Sequence, residues 1–197
     1  SFEVALGSIG ETRRLVQQAG CTKMVMIGKV CRPSITELKP DAEAVKLLAR
    51  AIGRGDDGLL RALVSFFDKV GIETIAPDDL LQQQLMPVDF RLGELPSSAQ
   101  ADIACGIALL DALGGSDVGQ GVVVQDQRII AVEAAEGTDA MLLRCADLLD
   151  QEGVTPVFVK RRKSGQDNRL DVPVFGKETM QAAADAGIGV IALESGG

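Results

Sequence analysis

With 197 residues, 46% of them hydrophobic and 24% charged, the chain is long enough to bury an apolar core and too hydrophobic for wholesale disorder. A balance of 20 basic against 28 acidic residues gives a net charge of −8, which argues against general nucleic-acid binding. The absence of histidine removes Ser-His-Asp and Cys-His catalysis and His-containing zinc sites, and with no Trp or Tyr and only 6 Phe, stacking platforms for bases are scarce. Hydrolytic chemistry would then fall to carboxylates with a hard metal ion.

Along the chain, Phe2–Leu6 reads as a short strand and Gly10–Ala19 as a helix, with Leu15, Val16 and Ala19 on one face. Gly7-Ser8-Ile9-Gly10 opens that helix and lets backbone approach a ligand, although it lacks dinucleotide or P-loop spacing. Thr22–Ile27 is a β-branched, apolar strand. It runs into Gly28-Lys29-Val30-Cys31-Arg32-Pro33 at its C-terminal end, the usual ligand side of a parallel sheet. Residues 41–53 and 57–70 read as helices, the first presenting Val45, Leu48 and Ile52, the second Leu59, Leu63, Phe66, Phe67 and Val70 with Gly71 as its C-cap. Asp56-Asp57 is expected to cap the second of these. Ile72–Ile75 is a strand, and Pro77-Asp78-Asp79 starts a short helix.

Between Met86 and Gln100 the period is lost among Pro87, Gly93, Pro96, Ser97 and Ser98, which marks a linker. A helix at about 99–113 carries Ile103, Ile107, Leu110 and Leu113. Strands Gly121–Gln125 and Ile129–Glu133 form a hairpin around Asp126-Gln127-Arg128. A helix at 138–150, strands at Val157–Lys160 and Val172–Phe175, a helix at 177–187 and a strand at Ile188–Leu193 complete the chain. The alternation of strands and helices predicts an α/β fold of two lobes, with residues 1–85 and 99–197 as domains and 86–98 as linker. A cleft between lobes is a common place for small ligands. The four cysteines, Cys21, Cys31, Cys105 and Cys145, form no metal or disulfide pattern and are expected to be buried or half-buried thiols.

Two segments carry the chemistry. Glu133-Ala134-Ala135-Glu136-Gly137-Thr138-Asp139-Ala140-Met141 joins a strand end to a helix start, with Thr138 at the N-cap position. Free amides there can hold an anion, and a divalent cation would reconcile a phosphate with three carboxylates; ordinary capping is the alternative. Lys160-Arg161-Arg162-Lys163 has a solvated surface as its default reading. Asp171 follows it in an apolar frame before Val172-Pro173, and is equally a metal ligand, a general base or a turn cap. Asp117 and Gln120 are turn or site residues, and the spacing does not choose.

Taken in order, Gly28-Lys29-Val30 with Arg32-Pro33, Gly55-Asp56-Asp57, Asp117-Val118-Gly119-Gln120, Glu133 with Glu136-Gly137-Thr138-Asp139-Ala140-Met141, and Gln166 with Asp171-Val172-Pro173 and Gly176 resemble one family. It is the UDP-2,3-diacylglucosamine pyrophosphatases of the lipid A pathway, of the type unrelated to calcineurin-like metallophosphoesterases. The resemblance covers nearly the whole chain. It implies a two-domain α/β enzyme, with a Rossmann-like N-terminal lobe and a mixed-sheet C-terminal lobe, peripheral to the cytoplasmic face of the inner membrane. The implied reaction is Mg²⁺-dependent (or Mn²⁺-dependent) hydrolysis of UDP-2,3-diacylglucosamine to UMP and 2,3-diacylglucosamine 1-phosphate, without nucleic-acid partners and with a homodimer open.

On that reading Asp171 is the catalytic carboxylate and, with Glu133, Glu136 and Asp139, a metal ligand. Gly28, Lys29, Arg32, Gly137, Thr138, Lys160 and Gln166 would contact substrate and its phosphates. Family members carry a strand and glycine-rich loop before the position of Phe2 and continue past Gly197, so the first domain is expected to lack the family's first strand. A transferase on another nucleotide-sugar, or a non-catalytic nucleotide or lipid binding module, are the alternatives.

Overall fold

The computed structural model describes residues 1–28, 40–51, 55–116, 118–163, 167–170 and 173–195, side chains at 50, 51, 55–57 and 84 excepted. It is a mixed α/β structure with two sheets, in two compact units. The first unit comprises residues 1–80 with a short segment that starts at Asp167; the second comprises Leu81–Gln166 and the residues from 172 on.

In the first unit, α1 (Ile9–Gln18), β1 (Lys23–Met24), α2 (Ala42–Ala51), α3 (Gly55–Lys69), β2 (Glu73–Thr74) and α4 (Pro77–Leu80) follow one another. The strands pair in parallel, Lys23 beside Glu73 and Met24 beside Thr74. Phe2–Leu6 is not a strand: no backbone among the described residues ladders with it, and Phe2 and Leu6 face solvent. The buried face of α2 is Ala44 and Leu47, three apart, while Val45 points outward, one step around the helix from the predicted stripe. In α3, Val64 and Phe67 are buried, and Phe66 meets Phe67 edge-on with ring centroids 5.2 Å apart. Gly71 ends α3 as predicted: at φ +80° its amide bonds the Asp68 carbonyl, and the Ile72 amide bonds that of Phe67. Because α3 begins at Gly55, Asp56 and Asp57 stand in its first turn rather than ahead of it.

Asp41 ties two helices together. Its Oδ1 accepts the Ala44 amide at 2.9 Å, capping α2, and its Oδ2 accepts the Gly10 amide of α1 at 2.7 Å. The backbone at Gly10, one of the candidate ligand contacts, is therefore already satisfied from within. Burial opposes ionisation of Asp41, but the accepted amides of Ala44 and Gly10 outweigh it and hold the carboxyl below its ordinary 3.8. A lowered folded pKa means the stabilisation is complete above that ordinary value and disappears as pH falls through the folded one. Asp41→Ala should cost about 1–2 kcal/mol in urea unfolding at neutral pH, and the difference from wild type should vanish in strong acid.

The segment from Asp167 is fastened by Arg169. Its Nε and Nη2 donate to Asp167 Oδ1 and Oδ2 at 2.9 and 2.6 Å, and its Nη1 donates to Asp68 Oδ2 at 3.1 Å. Asp68 Oδ1 in turn accepts the Thr74 amide of β2. Hydrogen bonds from Arg169 hold the Asp167 carboxyl below the usual carboxylate range, and those bonds push the guanidinium pKa further up.

The second unit holds α5 (Ala99–Leu113), the hairpin β3 (Gly121–Gln125) and β4 (Arg128–Val132), α6 (Thr138–Cys145), β5 (Val157–Lys160), α7 (Lys177–Asp185) and β6 (Val190–Leu193). Sheet order is β4-β3-β5-β6, antiparallel except for the parallel β5–β6 pair. Val122, Val124, Val157 and Val159 pack toward Ala99 and Leu110 of α5; Val123, Ala131 and Phe158 pack toward Met141, Leu142, Cys145 and Ala183 of α6 and α7. With helices on both faces, β3 is buried along its whole length. Residues 173–175, expected to be part of a strand, form none, and Pro173 cannot donate to a ladder.

The buried face of α5 is Ala99, Asp102, Gly106 and Leu110, so Ile107 is turned outward, contrary to the predicted stripe. A Cβ at Gly106 would lie 2.7 Å from Val159, which fixes how closely α5 approaches the sheet. Asp102, 1% exposed, accepts the amides of Asp126 and Gln127 at 3.0 and 2.6 Å. Both turn residues have positive φ, 52° and 58°, the backbone of a two-residue hairpin turn. Asp102→Ala removes two charge-assisted bonds from a strained turn and should cost about 3 kcal/mol of unfolding free energy. Asp102→Asn, with one acceptor oxygen left, should fall between, as thermal melts will show.

Candidate active site

In the second unit, β4 and β5 run in the same direction and end side by side, with the first residue of β3 between them. Gly121 pairs with Lys160, and the Glu133 amide donates to the Gly121 carbonyl. Strand alternation puts Lys160 on the face of Phe158 and Glu133 on that of Ala131, so both point toward α6. The α6 N-terminus arrives at this same end.

The side chains there form one chain of hydrogen bonds. Lys160 Nζ donates to Thr138 Oγ1 at 2.6 Å, and the Thr138 hydroxyl donates to Glu133 Oε1 at 2.9 Å. Glu133 Oε2 accepts the Gln120 amide at 3.2 Å and lies 3.7 Å from Lys160 Nζ. The side chains of Lys160 and Glu133 are only 8% and 12% exposed, so solvent screens this pair weakly. Space for Glu133 comes from two glycines whose place beside it the sequence does not show. A Cβ at Gly119 would sit 2.4 Å from Glu133 Cγ, and one at Gly121 would sit 2.9 Å from Glu133 Oε2.

The N-cap of α6 is Gly137, not Thr138. Gly137 takes φ +82°, a conformation other residues resist, and no side chain caps the helix. Thr138 is the first helical residue, and its hydroxyl is spent on Lys160 and Glu133. Among the described residues no side chain caps the first amides of α6, and donors at such a helix start can hold an anion.

Glu136 is exposed and ion-paired: Arg144 Nε and Nη2 donate to its Oε1 at 3.2 and 2.9 Å, while Nη2 also reaches the Val132 carbonyl at 2.8 Å. Its own amide and Arg144 hold the Glu136 carboxyl below the ordinary 4.5. Asp139 stands exposed in the first turn of α6. The basic run departs from its default reading, because Lys160 is buried and Arg161 is paired with Asp111 and Glu194 at 3.0 and 3.5 Å. Gly28 is an exposed bend at φ +118°. Lys29, Arg32, Gln166, Asp171, Asp117 and Cys31 lie outside the described residues. Cys145 is buried and Cys105 half-buried, but Cys21 is exposed rather than covered.

The structure brings together Glu133, Gly137, Thr138 and Lys160. Among the described residues no three acidic or thiol side chains converge on one point. Glu133 and Glu136 each face a cation, Lys160 and Arg144 respectively, which opposes a divalent ion beside either. A shallow depression lined by Leu149, Asp150, Thr155, Pro156 and Gly187 lies at the other end of the sheet, by the start of β5.

The second unit of this α/β protein thus sets the buried Lys160 beside the half-buried Thr138 and Glu133 at the start of α6. The particular family is given by comparison. The LpxI N-terminal domain matches residues 1–84, and the LpxI C-terminal domain matches residues 92–197. A UDP-2,3-diacylglucosamine pyrophosphatase LpxI of Caulobacter vibrioides is 35% identical over 204 residues, 98% of this chain and 72% of the relative. The chain belongs to the LpxI family.

Proposed function

We propose that this protein is a hydrolase that splits the pyrophosphate bond of UDP-2,3-diacylglucosamine in lipid A synthesis, releasing UMP and 2,3-diacylglucosamine 1-phosphate. The observation that carries the reading is the donor group at the α6 N-terminus, in a chain whose relative bears that activity in its name. A pyrophosphate diester carries two negative charges that any attacking water must approach. Lys160 has three N–H donors, of which Thr138 takes one, so a phosphate oxygen can accept another beside the amides that follow Gly137. These donors are held by β5 and α6 before substrate arrives, and such preorganisation is what makes hydrogen bonds effective in a water-poor site.

Mg²⁺, or Mn²⁺ in its place, is the proposed ion. When bound it would screen pyrophosphate charge. Because Glu133 and Glu136 each face a cation, Asp139 and Asp171 are its proposed ligands. Asp171 is the proposed catalytic carboxylate, and Lys29, Arg32 and Gln166 are proposed substrate contacts. Residues 1–85 and 99–197 are the proposed domains. The enzyme would work at the cytoplasmic face of the inner membrane as a peripheral protein; no helix among the described residues is long and apolar enough to cross a membrane.

Incubation with UDP-2,3-diacylglucosamine, with and without chelator, tests this directly by phosphorus-containing products. UMP and the sugar 1-phosphate, formed only with the ion, are the expected result. Binding without products would establish a binding module instead, and transfer to an acceptor other than water a transferase. Heavy-oxygen water identifies the phosphorus attacked.

A further inference from the structure

We propose that Glu133 is a positioning residue for the phosphate-binding group, and not a metal ligand. This deepens the hydrolase reading above and rests on it. Each Glu133 oxygen accepts a hydrogen bond from within the protein: Oε1 from the Thr138 hydroxyl and Oε2 from the Gln120 amide. The backbone on either side of that amide is stripped of side chains at Gly119 and Gly121, where a Cβ would run into Glu133. Its charge is opposed by the buried Lys160 ammonium 3.7 Å away. The adjacent ammonium disfavours a divalent ion at this carboxylate, and its two accepted bonds leave it well placed to orient its neighbours.

The orientation has a definite sense. A hydroxyl has one proton, and with Glu133 taking it, Thr138 Oγ1 turns its lone pairs toward Lys160. The ammonium is thereby held at the α6 N-terminus rather than extended into solvent. Without Glu133, the ammonium would be an uncompensated charge in a site where its side chain is only 8% exposed, and would abandon this pose. The carboxylate therefore acts on phosphate through Lys160 and Thr138.

The test compares Glu133→Gln, Thr138→Val, Thr138→Ser, Lys160→Met and the double variant Glu133→Gln/Thr138→Val, each checked for wild-type circular dichroism. Two quantities are measured: UDP affinity by calorimetry in chelator, and the Mg²⁺ concentration giving half-maximal turnover. Glu133→Gln and Thr138→Val should each weaken UDP binding by about tenfold or more. The double variant should lose no more than either single, because both changes break one unit. Thr138→Ser, which keeps the hydroxyl, should bind UDP as wild type does. Mg²⁺ dependence should stay unchanged in Glu133→Gln.

A raised Mg²⁺ requirement in Glu133→Gln, additive losses, unaltered UDP affinity in Glu133→Gln, or no UDP binding by the wild type in chelator would each overturn the proposal. If Glu133→Gln does not fold, Thr138→Val and Thr138→Ser still decide it, since equal UDP affinity in those two refutes it. Wild-type UDP affinity and turnover in Lys160→Met would instead remove the phosphate-site reading itself.

Discussion

Asp171→Ala will suppress release of UMP from UDP-2,3-diacylglucosamine by about 10²–10⁴-fold, the span lost when a positioned acid or base is removed, while the fold and lipid binding persist. The family resemblance implies that Asp171 is the catalytic carboxylate, beside Glu133, Glu136 and Asp139 as further acids of the site. Glu133 is buried against Lys160 and Thr138, and Glu136 is tied to Arg144, so both carry charges already answered within the protein. Asp139 is exposed in the first turn of α6. On the resemblance, Asp171 is the acid on which turnover should depend most.

Arg169, two residues earlier, is anchored by Asp167 and Asp68, and Asp68 is bound to the Thr74 amide, so this stretch has its own fastening to the first unit. Thermal melts of the variant should match wild type, and phosphorus-detected product analysis should show intact substrate. Normal turnover would remove Asp171 from the mechanism.

The parts of this structure that were legible in the sequence are those fixed by local chemistry. Ala99–Leu113 has the bounds its periodicity suggests, β3 coincides with Gly121–Gln125, and Gly71 closes α3 because only a residue tolerant of positive φ can turn the chain there. What local patterns misjudge is anything decided by a distant partner. Phe2–Leu6 has strand composition but no neighbour to ladder with, and Val45 loses the core to Ala44 because the packing partner selects the face. Asp102 interrupts an apolar helix face for the sake of a turn 24 residues away.

The site shows the same division. The Glu133–Met141 segment announced a strand end and a helix start, and Lys160 a cation at a strand end. That they converge required the register of Gly121 with Lys160, which no spacing along the chain encodes. The cradle at Gly119 and Gly121 was missed for the same reason. Its signal is two glycines flanking Gln120 at the mouth of a fully buried strand, which is visible only once strand burial is known.

Lys160→Met is expected to affect stability and turnover together, and the two effects can be pulled apart. The lysine side chain is 8% exposed, and its closest charge, Glu133, is 12% exposed. Removing one member of such a pair strands the other in a weakly solvated place, which costs about 3 kcal/mol. The low end of the usual range applies because Glu133 keeps its bonds from Thr138 and the Gln120 amide. Replacing both charges should undo most of this loss, since Lys160→Met/Glu133→Gln leaves no unpaired ion in the interior. Turnover will not recover with it, because the double variant still lacks the ammonium that faces the substrate's phosphate. A loss of about 10²–10³-fold in kcat/KM, equal in the single and double variants, is the expected kinetic result. Urea unfolding and UMP release on the same preparations separate the two effects. Recovery of turnover alongside stability would mean that Lys160 serves only to balance Glu133.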